Sequence, residues 1–87
     1  MLKKNKYIAM YQSYKQRYAV YYHNKDCAIR MLQNGSDWGY LMPMMVIDSN
    51  TKEIVWREKF IHLAHLKAEL KDFPSPDWEV SDNLFDD

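Results

Sequence analysis

Two rhythms of apolar and polar positions run along this chain. Residues 7–12, Tyr-Ile-Ala-Met-Tyr-Gln, and 17–23, Arg-Tyr-Ala-Val-Tyr-Tyr-His, are dense in residues that suit a pleated, half-buried strand. A short polar link, Ser13 to Gln16, joins them, so they read as an antiparallel hairpin, although the link has no Gly, Pro, Asn or Asp to mark a turn. A helix competes, because Tyr7, Tyr11, Tyr14, Tyr18 and Tyr21 recur at spacings of four and three and would form one helical stripe. The hairpin is the better reading, since bulky rings lose side-chain freedom on a helix. Alternation would then place Ile8, Met10, Tyr18, Val20 and Tyr22 on one face, and Tyr7, Ala9, Tyr11, Arg17, Ala19, Tyr21 and His23 on the other.

A helix follows. Asp26 is the expected N-cap, Ala28, Ile29, Met31 and Leu32 its apolar face, and Gly35 its expected stop. Residues 40–47 are a continuous apolar run, as in a well-buried strand, in which Pro43 requires an edge or a bulge. Asp48 to Lys52 is a polar turn and Glu53 to Glu58 a second strand. From Lys59 to Asp72 the rhythm becomes helical, with Phe60, Leu63, Leu66, Leu70 and Phe73 near one face, until Pro74 and Pro76 end it. The expected fold is α+β, in the order β-β-α-β-β-α, a small antiparallel sheet packed against two helices. Residues 1–73 form the domain and residues 74–87 an irregular acidic tail in which Trp78, Val80, Leu84 and Phe85 are free to dock. The expected core is Val46, Ile47, Ile54, Trp56, Leu63 and Leu70.

Composition narrows the class. With 87 residues the hydrophobic margin is thin, which 15% aromatic content, or a homo-oligomer that shares core, would offset. The net charge of zero conceals an asymmetry. Residues 1–71 carry all twelve Lys and Arg against six acids, a net +6, whereas 72–87 carry six acids and no base, a net −6. Such tails serve as solubilising or interaction segments. The lone Cys27 allows no internal disulfide, and charged residues interrupt every apolar stretch, so the expected location is cytoplasmic, with no membrane partner.

Candidate chemistry is sparse. His62, His65 and Glu69 would share one helix face, but the spacing is not that of a zincin and a solvated face accounts for it, so no metal is expected. Cys27 lies beside Asp26 and near His23, yet nothing specifies a base or an oxyanion site, and a small buried cysteine is common core filler. Gly35 and Gly39 are the only glycines, too few for a phosphate-cradling loop. These readings argue against an enzyme and against any cofactor. The most suggestive set is the first hairpin, whose Tyr7, Tyr11, Arg17, Tyr21 and His23 would form an aromatic face with basic neighbours. Such a face suits a protein partner, and secondarily single-stranded nucleic acid. Trp78 and Phe85 of the tail complete the candidate binding residues.

Lys6-Tyr7-Ile8-Ala9-Met10-Tyr11, followed by Tyr18-Ala19-Val20-Tyr21-Tyr22, resembles the opening hairpin of HicB-type antitoxins over about a quarter of the chain. The family's following Pro-Asp and Gly-Cys positions are replaced here by Asn24-Lys25-Asp26-Cys27, so no antitoxin function is carried over. Val46-Ile47-Asp48 to Thr51, then Glu53-Ile54-Val55-Trp56, resembles the terminal hairpin of small phage-encoded proteins. The two resemblances imply a phage or mobile-element origin and a role in regulating or inhibiting a host factor by occlusion. The expected function is a small non-enzymatic protein-binding module, with single-stranded nucleic-acid binding as the alternative.

Overall fold

A computed structural model describes residues 6–71 and 73–82 of the chain. The tyrosine-rich opening is a hairpin, β1 (Tyr7–Ser13) and β2 (Gln16–Tyr22). Its turn is only two residues long, and Tyr14 supplies the positive φ of 58° that Gly or Asn usually provides. Gln12 Nε2 donates to the Tyr14 carbonyl at 3.1 Å, which helps hold a turn that lacks glycine.

Helix α1 (Lys25–Asp37) starts at Asn24, not at Asp26. Asn24 has extended backbone angles, and its Oδ1 accepts from the N–H groups of Asp26 at 2.7 Å and Cys27 at 3.2 Å. Asp26 is displaced into the first turn, where its carboxylate favours the positive end of the helix dipole. Gly35 does not end the helix either. It lies inside α1, and a Cβ there would run into the Leu41 side chain, so glycine serves a close crossing. The left-handed residue comes later, at Gly39 with φ of 78°.

The chain returns as β3 (Met42–Asp48), antiparallel to β1, and then β4 (Ile54–Arg57), antiparallel to β3. The β1–β3 register shifts between Met10, opposite Met45, and Tyr11, opposite Pro43. Pro43 thus lies at a bulge, one of the few places in a sheet that tolerate its missing N–H. Helix α2 (Leu63–Lys71) follows, shorter than the periodicity suggested because Phe60 and Ile61 belong to the preceding turn and His62 stands just ahead of the helix.

The tail departs from expectation at Trp78–Asp82, which forms β5, parallel to β2. β2 would otherwise be an open edge, and Trp78 has a core position to fill there. It is 6% exposed and meets Phe73 edge-to-face at 5.4 Å. Gln16 Nε2 donates to the Asp77 carbonyl at 2.8 Å and fixes the strand's start. The sheet order is β4-β3-β1-β2-β5.

Each face of the sheet carries its own core. On one, α1 covers Ala9, Tyr22 and Val46 with Ala28 and Leu32. On the other, Leu66 of α2, Phe73 and Trp78 cover Ile8, Met10, Ala19, Met45 and Ile47. Of the expected core, Val46 and Ile47 are fully buried, whereas Ile54, Trp56 and Leu70 are half-buried. Leu63, in the first turn of α2, is 40% exposed and lines a shallow hollow with Ile54, Val55, Trp56 and Arg57 of β4. No helix among the described residues is long and apolar enough to cross a membrane.

Candidate interaction site at the turn end of the sheet

The two-residue turn decides which side chains share a face. It pairs Tyr7 with Tyr22, Ala9 with Val20 and Tyr11 with Tyr18, and residues directly opposite in an antiparallel pair point the same way. Odd positions of β1 therefore share a face with even positions of β2, the reverse of the expected grouping. Tyr7 and Tyr11 lie on the α1 side, while Arg17 and Tyr21 lie on the α2 side. All four are half-buried, so the hairpin presents no open aromatic row. The Tyr11 and Tyr18 rings stack at 5.2 Å, and burial, helped by Tyr18, pushes the Tyr11 hydroxyl above its ordinary pKa.

The other candidates disperse as well. Arg17 Nη2 donates to Glu69 Oε2 at 3.0 Å, a contact that ties α2 to β2. Glu69 is thereby drawn to the sheet and away from the solvated face it was expected to share with His62 and His65, whose rings meet edge-on at 5.8 Å. Among the described residues, no three His, Cys, Asp or Glu side chains gather closely enough to hold a metal ion. His23 lines a hollow of about 410 Å³ with Lys6, Tyr7, Asn24 and Lys25, at the end of the sheet opposite the β1–β2 turn. Trp78 is core, and Phe85 lies outside the described residues.

A different set gathers at the turn end. Tyr14 tips the hairpin and is 96% exposed. Trp38 and Tyr40, on the segment that leads from α1 to β3, are 74% and 71% exposed, with rings parallel to within 4° at 6.4 Å. Met42, also exposed, opens β3 opposite Gln12 and so lies on the α2 side of the sheet, outside the groove along α1. Ser13 Oγ donates to the Tyr40 carbonyl at 2.9 Å, fastening the α1–β3 segment, with Trp38 and Tyr40, to the hairpin tip that carries Tyr14. From this end a groove of about 730 Å³ runs along α1, lined by Cys27, Arg30, Met31, Asn34 and Trp38, with Tyr40 and Leu41 at its head. The lining is mostly apolar, and Arg30 is its one charged side chain. Residues 27, 30, 31, 34 and 38 recur at helical spacing, so a single flank of α1 forms the wall.

Sequence reasoning missed this set because Tyr40 was absorbed into a buried strand. The available signal was Trp38-Gly39-Tyr40, two aromatics around a glycine just past the helix, where neither strand nor helix periodicity gives them a core to enter. The arrangement offers aromatic, thioether and guanidinium contacts but no assembled acid, base and nucleophile. No protein-family model, curated protein or solved structure matches this chain.

Proposed function

We propose that the protein is a non-enzymatic protein-binding module that engages its partner through the turn end of the sheet and acts by occluding that partner. The observation that carries this reading is the exposure of Trp38 and Tyr40 at the head of an apolar groove, with Tyr14 exposed on the hairpin tip fastened to the same segment. Large apolar side chains scattered singly on a surface are ordinary, but a contiguous group marks a contact site. The residue types also fit. Tyr, Trp, Met and Arg are the types enriched in interfaces, and charge is sparse along the groove. The regulatory role suggested by the phage-like hairpins is compatible with such a surface.

A second reading, single-stranded nucleic acid, is favoured by one observation, the parallel rings of Trp38 and Tyr40 near Arg30, since bases stack on exposed aromatics and phosphates pair with cations. One pair of experiments decides between them. Affinity capture from cell extract with the wild-type chain and with Trp38→Ser/Tyr40→Ser should show a protein that only the wild type retains. Titration with a labelled single-stranded oligonucleotide should show no binding that weakens steeply with salt. A captured set identical for both chains would overturn the protein-binding surface, and salt-sensitive oligonucleotide binding lost in the variant would replace it with the nucleic-acid reading.

A further inference from the structure

We propose that the outer edge of β5 takes up a basic, extended segment of a partner protein as a further strand of the sheet. This contact is separate from the turn-end surface and does not depend on that reading.

The first argument is the edge itself. β4 and β5 are the outermost strands. β4 is four residues long, its pairing with β3 shifts register, and Glu53, Arg57 and Lys59 in and around it carry both signs. A short, irregular, charged strand is a blunted edge. β5, in contrast, pairs with β2 over five consecutive residues without a shift. No described strand lies beyond it, so the sheet leaves its outer N–H and C=O groups unpaired. An extended backbone is the ligand that satisfies such a row. The strand is also held ready. Buried Trp78 anchors its start in the core, and Gln16 Nε2 donates to the Asp77 carbonyl at 2.8 Å. A preformed edge spares an incoming strand the cost of ordering its template.

The second argument is charge. Trp78 lies on the α2 side, so alternation places Asp82 on that side and Glu79 on the α1 side. Both are exposed, as is Asp77 just ahead of the strand, and residues 74–82 contain no Lys, Arg or His. Among the described residues none of these three carboxylates is paired with a cation. Arg17, the cation on the neighbouring strand, is occupied by Glu69. Carboxylates thus flank the edge on both faces. They oppose an acidic strand, including β5 of a second copy, and favour a basic one. Val80, 47% exposed, gives such a strand an apolar contact beside the charges.

The test is a labelled peptide of alternating lysine and valine. It is titrated into the full chain at low and at physiological salt and followed by fluorescence anisotropy and by amide NMR of the protein. The peptide should bind, shift the amides of Glu79 to Asp82 most, and slow the exchange of those that face outward. The same peptide with every backbone N–H methylated keeps its charge but cannot donate to the edge, and should bind at least about tenfold more weakly. Glu79→Lys/Asp82→Lys should weaken binding of the lysine peptide by about the same factor and should gain binding of a glutamate–valine peptide. Equal binding of the methylated peptide would overturn strand addition, because charge alone would then account for the contact. Shifts centred on Trp38 and Tyr40 would move the peptide to the turn end and overturn the β5 site. An absence of binding even at low salt would overturn the basic segment as occupant. The methylated peptide and the amide map use the wild type, so the test stays decisive if the lysine variant fails to fold.

Discussion

The two faces of the sheet are covered in different ways. On the α1 side the sheet presents Ala9 and Val46, and the helix answers with Ala28, so the α1 backbone comes close to β1, β2 and β3. On the α2 side it presents Ile8, Met10, Met45 and Ile47, whose longer side chains hold α2 further off, and its backbone approaches no strand comparably. Large side chains fill the gap there, with Phe73 and Trp78 crossed edge-to-face and Lys52 Nζ 5.1 Å from the centre of the Phe73 ring. Small residues thus set one helix in close contact, and large flexible ones make a thicker, more adaptable layer on the other face.

Matched leucine deletions test this difference most strongly. Leu32 and Leu66 are both buried, at 0% and 1% exposure, one under each helix. Leu32→Ala should cost about 3–5 kcal/mol, because a close-packed site cannot collapse into the cavity. Leu66→Ala should cost about 2–3 kcal/mol, because Met10, Met44 and Met45 can re-pack into the space. Chemical denaturation of the two variants measures the gap, and equal losses would mean that the two layers are equally rigid.

Next in size is the close crossing. Gly35→Ala raises helix propensity yet drives a Cβ into Leu41, so the protein should lose about 1–3 kcal/mol. Adding Leu41→Ala should recover part of that loss, since the clash is with that side chain. A stabilised Gly35→Ala would show that the α1–β3 segment yields readily. That outcome would also weaken the reasoning that Trp38 and Tyr40 are held in place, because they flank the same segment.

The capping of α1 predicts a smaller effect. Asn24→Ala should cost about 1 kcal/mol and Asp26→Ala less, because only Asn24 Oδ1 accepts from free N–H groups of the first turn. Thermal denaturation of the two variants should rank them in that order, and the reverse order would return the cap to Asp26.

Asn24 also shows what the sequence makes legible. A capping residue near position 26 followed by an apolar stripe was enough to find α1, but the cap is Asn24, two residues ahead of the expected Asp26. Both hairpins and both helices follow from local composition and periodicity. The grouping of Tyr7, Tyr11, Arg17 and Tyr21 failed for a different reason. Strand parity depends on turn length, and a two-residue turn built on Tyr14 carries no signature that fixes it. β5 was hidden because its pairing with β2 is remote in sequence, and its Trp-Glu-Val-Ser-Asp is acidic enough to read as solvated. Trp38 and Tyr40 were visible as residues but not as a surface, since exposure is a property of the assembled fold.

The smallest effect concerns acid and should belong to neither face. Among the described residues no buried side chain is polar or charged, so no core carboxylate is available to destabilise the sheet on protonation. The sensitive group is instead at the β3–β4 turn. Asp48 Oδ1 accepts from the N–H groups of Asn50 at 2.8 Å and Thr51 at 3.1 Å. These bonds, the Thr51 N–H foremost and with Lys6 nearby, hold its carboxyl below the ordinary carboxylate pKa. A depressed folded-state pKa gives stability that is present above the unfolded value and is lost as pH falls through the lower folded one. Asp48→Asn keeps an acceptor for both N–H groups but does not titrate. The wild type should therefore be slightly more stable than the variant at neutral pH, and the difference should shrink as the solution is acidified past the usual carboxylate range. Denaturation midpoints of the two proteins across an acid series measure it, and a gap that stays constant with pH would show that the Asp48 charge contributes nothing to the turn. A steep acid loss common to both proteins would point to carboxylates elsewhere in the chain.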